Sequence, residues 1–516
     1  MLQTIGQILP ASAQRFGKKT ALVFGDRKFT YRELDQLSNR MANGLASLGV
    51  TQGDRVSIYG PNCWEWLVAY HGVAKLGAVL NPINVMLTPE EVVYVVNDCG
   101  AKALIASADK GEAILDNKGA TPLKNVVLFG GKQELAGALA FEALLAKGKD
   151  AFDPVLVPAE SLSTIGYTSG TTGHPKGAMQ SHRSVLLNLA LTANMHVKTE
   201  ADTVVTALPC PHVYGNIVTN GAIFTGMTVV LLARFEEKAA LDAIQTYKAT
   251  MFEGVPTMYM YFLNSPELAK HDISSLTRCT VGGQTMPVAK MEEVEQRFGC
   301  PLLELWGMTE LAGAATTNLY YGENRHGSIG FPFPGVLARI ADVDDAGNTL
   351  APGEVGELMI KGPLVMLGYY GNEKATKEAI EPDGWMHTGD VGKQDEDGYL
   401  YIVDRRKDLI LTGGFNIYPA EIERVIAAHP AVAMVAVGGQ PDATKGEIAK
   451  AYIVLREGQK GDPESILAHC RKHLAAYKLP RRIQFVKDLP KTSTGKVMRR
   501  ELKTLDPPEE RESAAE

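Results

Sequence analysis

The sequence has no Cys-x-x-Cys pair, no histidine cluster at metal-ligand spacing, and no apolar run of the ~18–20 residues needed to cross a membrane. Its six cysteines, Cys63, Cys99, Cys210, Cys279, Cys300 and Cys470, are scattered. That excludes a disulfide framework or a cysteine-rich zinc module and leaves reduced, buried thiols as the expectation. Met1-Leu2-Gln3-Thr4 has no basic segment ahead of an apolar one, so no secretory leader is read and a soluble cytoplasmic protein is expected. No fixed-period repeat is visible, which sets solenoids aside. A net charge of −7 argues against a general nucleic-acid binder, so an anionic ligand would need positive charge gathered locally.

What is present is a globular composition, 45% hydrophobic and 22% charged, over 516 residues. That is too long for one core and implies roughly two to four domains. Helix starts are legible at Thr30-Tyr31-Arg32-Glu33, a capping box followed by Leu34, Leu37, Met41, Leu45 and Leu48, and at Thr88-Pro89-Glu90-Glu91. Arg55–Tyr59, Ala78–Leu80, Ala103–Ile105 and Asn125–Phe129 read as strands, with a helix over 141–146. Ala222-Ile223-Phe224 with Thr228–Leu232 reads as a further strand-rich unit. Alternation sustained over hundreds of residues predicts α/β layers rather than a bundle or sandwich.

The most informative stretch is Tyr167-Thr168-Ser169-Gly170-Thr171-Thr172-Gly173-His174-Pro175-Lys176-Gly177. Glycines that let N–H groups approach an anion, four small hydroxyls and one lysine make a phosphate cradle by composition. It is not a Walker A loop, because Pro175 and Lys176 stand where that pattern needs Gly-Lys-[Ser/Thr]. A flexible Ser/Thr/Gly linker is the bland alternative.

Further along, Leu208-Pro209-Cys210-Pro211-His212 places a histidine after a proline-punctuated break. Val281-Gly282-Gly283-Gln284 ends a strand in bare backbone against which a planar ring could lie. In Leu305-Trp306-Gly307-Met308-Thr309-Glu310, Trp306 offers a stacking face, Thr309 a hydroxyl for a phosphate, and Glu310 a carboxylate for magnesium. Asp390 in Gly384-Trp385-Met386-His387-Thr388-Gly389-Asp390 reads as a carboxylate in a glycine-flanked turn, suited to a ribose diol. Each segment taken singly also admits a structural explanation: a turn, a capping Thr-Glu, or an Asx turn.

Together and in order, these segments resemble the signature motifs of the adenylate-forming superfamily, in particular acyl-CoA synthetases and fatty-acid–CoA ligases. The resemblance runs from Thr30 to Lys496. It implies an N-terminal adenylation domain over 1–404, built of layered α/β subdomains, a hinge at 405–408, and a small mobile α+β domain over 409–516 whose tail from 507 is expected to be disordered. It implies nucleotide contacts from Thr168, Ser169, Gly170, Thr171, Thr172, Gly173, Gly282, Gly283, Gln284, Trp306, Gly307, Asp390, Ile402 and Arg405, with Gly414 along the pantetheine path and Lys407 as pivot. Catalytic roles fall to Lys176, His212 bordering the acyl pocket, Thr309, Glu310 as magnesium ligand, and Lys496 of Pro490-Lys491-Thr492-Ser493-Thr494-Gly495-Lys496. Gln284 and Thr285 depart from the small residue and proline usual in the family's adenine loop.

The expected activity is activation of a carboxylic acid by ATP and Mg2+ to an acyl adenylate, then transfer to CoA. Medium- or long-chain fatty acids are the leading substrates, and aryl acids of the hydroxycinnamate or benzoate type are the alternative. At Leu305 there is no arginine of the kind malonate-activating relatives carry. A carrier-loading adenylation domain and a luciferase-like oxygenase share the motifs, and a homodimer is among the assemblies left open.

Overall fold

The computed structural model describes residues 2–116, 123–131, 136–168, 175–405, 408–412, 415–442, 446–492 and 495–507. Ser169, Gly170, Thr171, Thr172, Gly173, Lys407 and Gly414 therefore lie outside the described residues, as does the tail from 508 onward.

The chain begins as expected from its caps. Thr30 accepts a hydrogen bond from the Glu33 N–H at 3.2 Å while Glu33 accepts from the Thr30 N–H at 2.8 Å, and the helix Tyr31–Ser47 follows. The same reciprocal box at Thr88 and Glu91 opens Pro89–Asp98. Two large sheets hold most of the chain. In one, Arg278–Gly282, Met251–Gly254, Thr203–Thr206 and Thr228–Leu231 run parallel at the centre, with Leu302–Met308 parallel beside them. In the other, Asn125–Phe129, Ala103–Ser107, Arg55–Tyr59 and Val79–Ile83 run parallel and end in the antiparallel hairpin Leu162–Thr168/Lys176–Ser181.

Helices Trp64–Lys75 and Val213–Thr225 belong to the same continuous core as strands of both sheets. They are apolar nearly all round, as helices between layers must be. This corrects the strand assignment at Ala222-Ile223-Phe224, which lies in Val213–Thr225. Only Thr228–Leu231 of that unit is a strand. Lys75 is fully buried, and its Nζ is satisfied by Asp35 at 2.6 Å and Ser38 at 2.7 Å. Burial pulls its pKa down to about 8.

An antiparallel sheet of Leu337–Ala341, Gly356–Lys361, Met386–Gln394 and Leu400–Arg405 closes the large N-terminal part. Beyond it the small C-terminal part has its own sheet, in which Val432–Asp442 at the edge and Gly446–Leu455 beside it form the longest pair. Helices Pro419–Ala427 and Pro463–His473 cover a separate apolar core containing Ile422, Ile426, Ile453 and Ile466. A second, smaller core joins Leu489 and Leu502 to Ala436 and Tyr452. All six cysteines are free and buried, and no described helix is long and apolar enough to cross a membrane.

Candidate adenylation site

The hairpin that carries the phosphate cradle pairs Thr168 with Lys176, so the lysine stands at the mouth of the loop. Its ammonium lies 5.3 Å from the centre of the Tyr369 ring, and Tyr369 donates its hydroxyl to Glu310 Oε1 at 2.9 Å. The hairpin also holds the next motif. Gln180 Nε2 donates to the Thr309 carbonyl at 2.9 Å, and a side chain at Gly166 would meet Thr309 Cγ2 at 2.6 Å, so glycine there permits the close approach.

Thr309 and Glu310 sit in a tight turn after the strand Leu302–Met308. Its last step is unusual, because Ala312 adopts φ +57°, a left-handed conformation costly for a residue with a Cβ. Asn188 pins this turn by donating to the Leu311 and Ala314 carbonyls at 3.0 and 2.8 Å. Burial raises the Glu310 pKa, opposed by backbone and Tyr369 hydrogen bonds and by the charge of Arg405. A carboxylate made costly by desolvation at the edge of an open cleft suits a divalent cation, so Glu310 fits the magnesium role. Among the described residues there is no cluster of three or more His, Cys, Asp or Glu side chains for a metal, so the remaining ligands would come from phosphate oxygens and water.

Asp390 does not sit in a free turn. It lies within the strand Met386–Gln394 at an irregularity where Gly389 takes φ +72° and donates its N–H to Glu357 Oε1 at 3.0 Å. One carboxylate oxygen accepts from the Trp306 indole N–H at 2.7 Å and the other faces Arg405 Nε at 3.1 Å. His387, in the same strand, bridges Glu357 at 3.1 Å and Glu381 at 2.9 Å. His212 caps the helix Val213–Thr225, its Nδ1 accepting the Tyr214 N–H at 3.2 Å. Burial first, and the charge of Lys496 second, lower its pKa to about 4, so the ring is neutral at pH 7.

Lys496 arrives from the small C-terminal part. Its loop is fastened by Thr257 Oγ1 donating to the Gly495 carbonyl at 2.9 Å, by the Val497 N–H donating to Gln284 Oε1 at 3.1 Å, and by Lys491 Nζ donating to the Tyr261 hydroxyl at 2.8 Å. Gly495, at φ +77°, passes so close to Thr257 that a Cβ would lie 2.6 Å from its hydroxyl. Gln284 is thus one of three residues, with Thr257 and Tyr261, that receive the lysine loop.

The outcome is a cleft of about 800 Å3 lined by Thr168, Lys176, His212, Thr309, Glu310, Asp390, Arg405 and Lys496. An adjoining space of about 550 Å3 is lined by Gly283, Gln284, Trp306, Gly307, Ile402, Arg405 and Lys496. Gly282 stands one residue behind, buried against Leu305. Tyr369, Glu357 and Glu304 are site features that reading the residues in order did not single out. Glu304 did carry a signal, being the one charged residue in the apolar strand Leu302–Met308. It is 3% exposed, its Oε2 has no hydrogen-bond partner among the described residues, and burial, opposed by Arg424, pushes its pKa up to about 8.

Residues 9–370 match the model of the AMP-binding enzyme family, and residues 421–496 match that of the AMP-binding enzyme C-terminal domain. The chain belongs to the AMP-binding enzyme family. Relatives at 34–36% identity over nearly the whole chain are named CoA ligases, which makes this chain an AMP-forming acid–thiol ligase, and its layered α/β body with a small C-terminal domain is the fold shared with adenylating relatives. A long-chain-fatty-acid–CoA ligase of Bacillus subtilis is 36% identical, covering 97% of this chain and 94% of its own. An indoleacetate–CoA ligase of Aromatoleum aromaticum is 35% identical, covering 94% and 95%. The crystal structure of the anthranilate CoA ligase AuaEII in complex with anthranoyl-AMP superposes with a TM-score of 0.92 at 30% identity, covering 99% of this chain and 98% of that one.

Proposed function

We propose that this adenylating ligase activates a medium- or long-chain fatty acid, forming an acyl adenylate and then an acyl-CoA thioester with release of pyrophosphate and AMP. The observation that carries the adenylation geometry is the placement of Lys496 in one cleft with Lys176, Thr309, Glu310 and Asp390. A carboxylate and a triphosphate repel each other, and the site must hold them in line while neutralising both. In this reading Lys496 faces the carboxylate and α-phosphate. Thr309 donates to the phosphate, Lys176 and the loop after Thr168 hold the departing pyrophosphate, and Asp390 with Arg405 takes the ribose. Magnesium at Glu310 would supply charge compensation on the phosphate oxygens. The small domain, with its boundary proposed at 405–408 and its pivot at Lys407, then turns so that Lys496 leaves and the CoA thiol reaches the adenylate along the path past Gly414.

For the substrate, the lining of the cleft also includes Leu208, Tyr214, Val255 and Met308, which favours an apolar acid. Behind it Tyr214 binds Thr280 at 2.8 Å, and Thr280 donates to Glu253, whose other oxygen pairs with Lys198 at 2.6 Å. The likeness to ligases named for indoleacetate and anthranilate supports aryl acids as the second reading. Acid-dependent ATP–pyrophosphate exchange with C6–C18 acids, benzoates and indoleacetate, followed by thioester formation with CoA, tests both. Highest kcat/KM on an aliphatic acid is expected, and preference for an aryl acid or a dicarboxylate would overturn the first reading.

A further inference from the structure

We propose that Arg499 is a positioning residue for Lys496, acting as the latch that holds the lysine loop to the crossing between the two parts of the chain. The proposal rests on the adenylation reading above. Arg499 lies three residues beyond Lys496, at the start of the turn Arg499–Leu505. Its guanidinium reaches Asp404 at 2.7 Å, Asp408 at 3.1 Å and Glu423 at 2.7 Å. Asp404 and Asp408 flank the crossing, Asp404 being next to last in the strand Leu400–Arg405 of the large part, while Glu423 lies on the first helix of the small part. One planar cation therefore joins three carboxylates drawn from both sides.

Burial makes this contact decisive. The Asp404 side chain is 1% exposed and the Arg499 side chain 20%. The second oxygen of Asp404 accepts the Ala420 N–H at 2.8 Å, in the first turn of the helix Pro419–Ala427. A rotation of the small part about the crossing has to separate Asp404 from Arg499, because they belong to opposite sides, whereas Glu423 travels with the arginine. The fork geometry of a guanidinium suits three converging carboxylates, which an ammonium cannot match. Losing the latch should consequently impair the step that needs Lys496 in the cleft and spare the step that needs it withdrawn.

The test compares two half-reactions in wild type, Arg499→Met, Arg499→Lys and Asp404→Asn: acid-dependent ATP–pyrophosphate exchange, and CoA thioester formation from a supplied synthetic acyl adenylate. Arg499→Met is expected to lose 10- to 100-fold in exchange while thioester formation changes no more than threefold, with Arg499→Lys between it and wild type. Asp404→Asn, approached from the other side of the crossing, should show the same split, so a folding defect in one variant does not decide the matter. Equal losses in both half-reactions, or exchange at the wild-type rate in both Arg499→Met and Asp404→Asn, would overturn the latch. Absence of exchange in the wild type with every acid would instead bring down the adenylation reading, and the latch with it.

Discussion

The indole N–H of Trp306 donates to Asp390 Oδ2 at 2.7 Å, tying the strand Leu302–Met308 of one sheet to the strand Met386–Gln394 of another. Two motifs 84 residues apart are thereby locked into one wall of the cleft. The bond orients a carboxylate that is 6% exposed and otherwise held by Arg405. Removing the donor with Trp306→Phe should cost on the order of 1 kcal/mol of ATP binding, raising KM for ATP about 3- to 10-fold with kcat little changed. An ATP titration that gives the wild-type KM would count against this role.

Lys496→Ala should abolish most adenylate formation, by about 10²–10³-fold, since the group proposed to neutralise two approaching anions is gone. Thioester formation from a supplied acyl adenylate should remain within threefold. Parallel loss of both steps would refute the assignment.

Glu304→Gln tests the buried carboxyl beside Trp306. In the wild type the folded state keeps a proton up to about pH 8 that the unfolded chain releases near pH 4.5, so stability falls as pH rises through that window. The variant lacks this term and should melt at least about 2–4 °C above wild type at pH 8 while matching it near pH 4.5. A difference in melting temperature that does not grow with pH would show that Glu304 titrates normally.

His387→Gln probes the two-carboxylate clamp behind Asp390. Burial alone would lower the imidazole pKa, but the hydrogen bonds to Glu381 and Glu357 outweigh it and the net shift is upward. The stabilisation is thus fully present below pH 6.5 and fades as pH rises through the raised folded value. Wild type should exceed the variant by about 1–3 °C at pH 5.5 and converge with it at pH 9. Melting curves with the opposite trend would reject the clamp.

Local chemistry made much of the fold readable. Thr30 with Glu33, Thr88-Pro89 with Glu91, and the run Asn125–Phe129 each carry their own reason to form, so helix starts and strand bounds agree with the structure. Ala222-Ile223-Phe224 was misread because a helix buried on all sides has no polar face to reveal its period. Asp390 was read as a turn residue because the irregularity that shapes it depends on Glu357, 33 positions away along the chain. Tyr369 gave no signal at all, since its importance comes from where the fold sets it, between Lys176 and Glu310. The gathering of Lys496 with the nucleotide motifs was legible only through the ordered set of motifs and the family they resemble.

Leu489 and Leu502 enter the same small apolar core, and the chain between them carries Lys496. The lysine is thus tied to that core by residues on either side of it along the chain, an anchoring made when the domain folded. Under the proposed turn of the small domain, a lysine tethered in this way would leave the cleft together with the core that carries it.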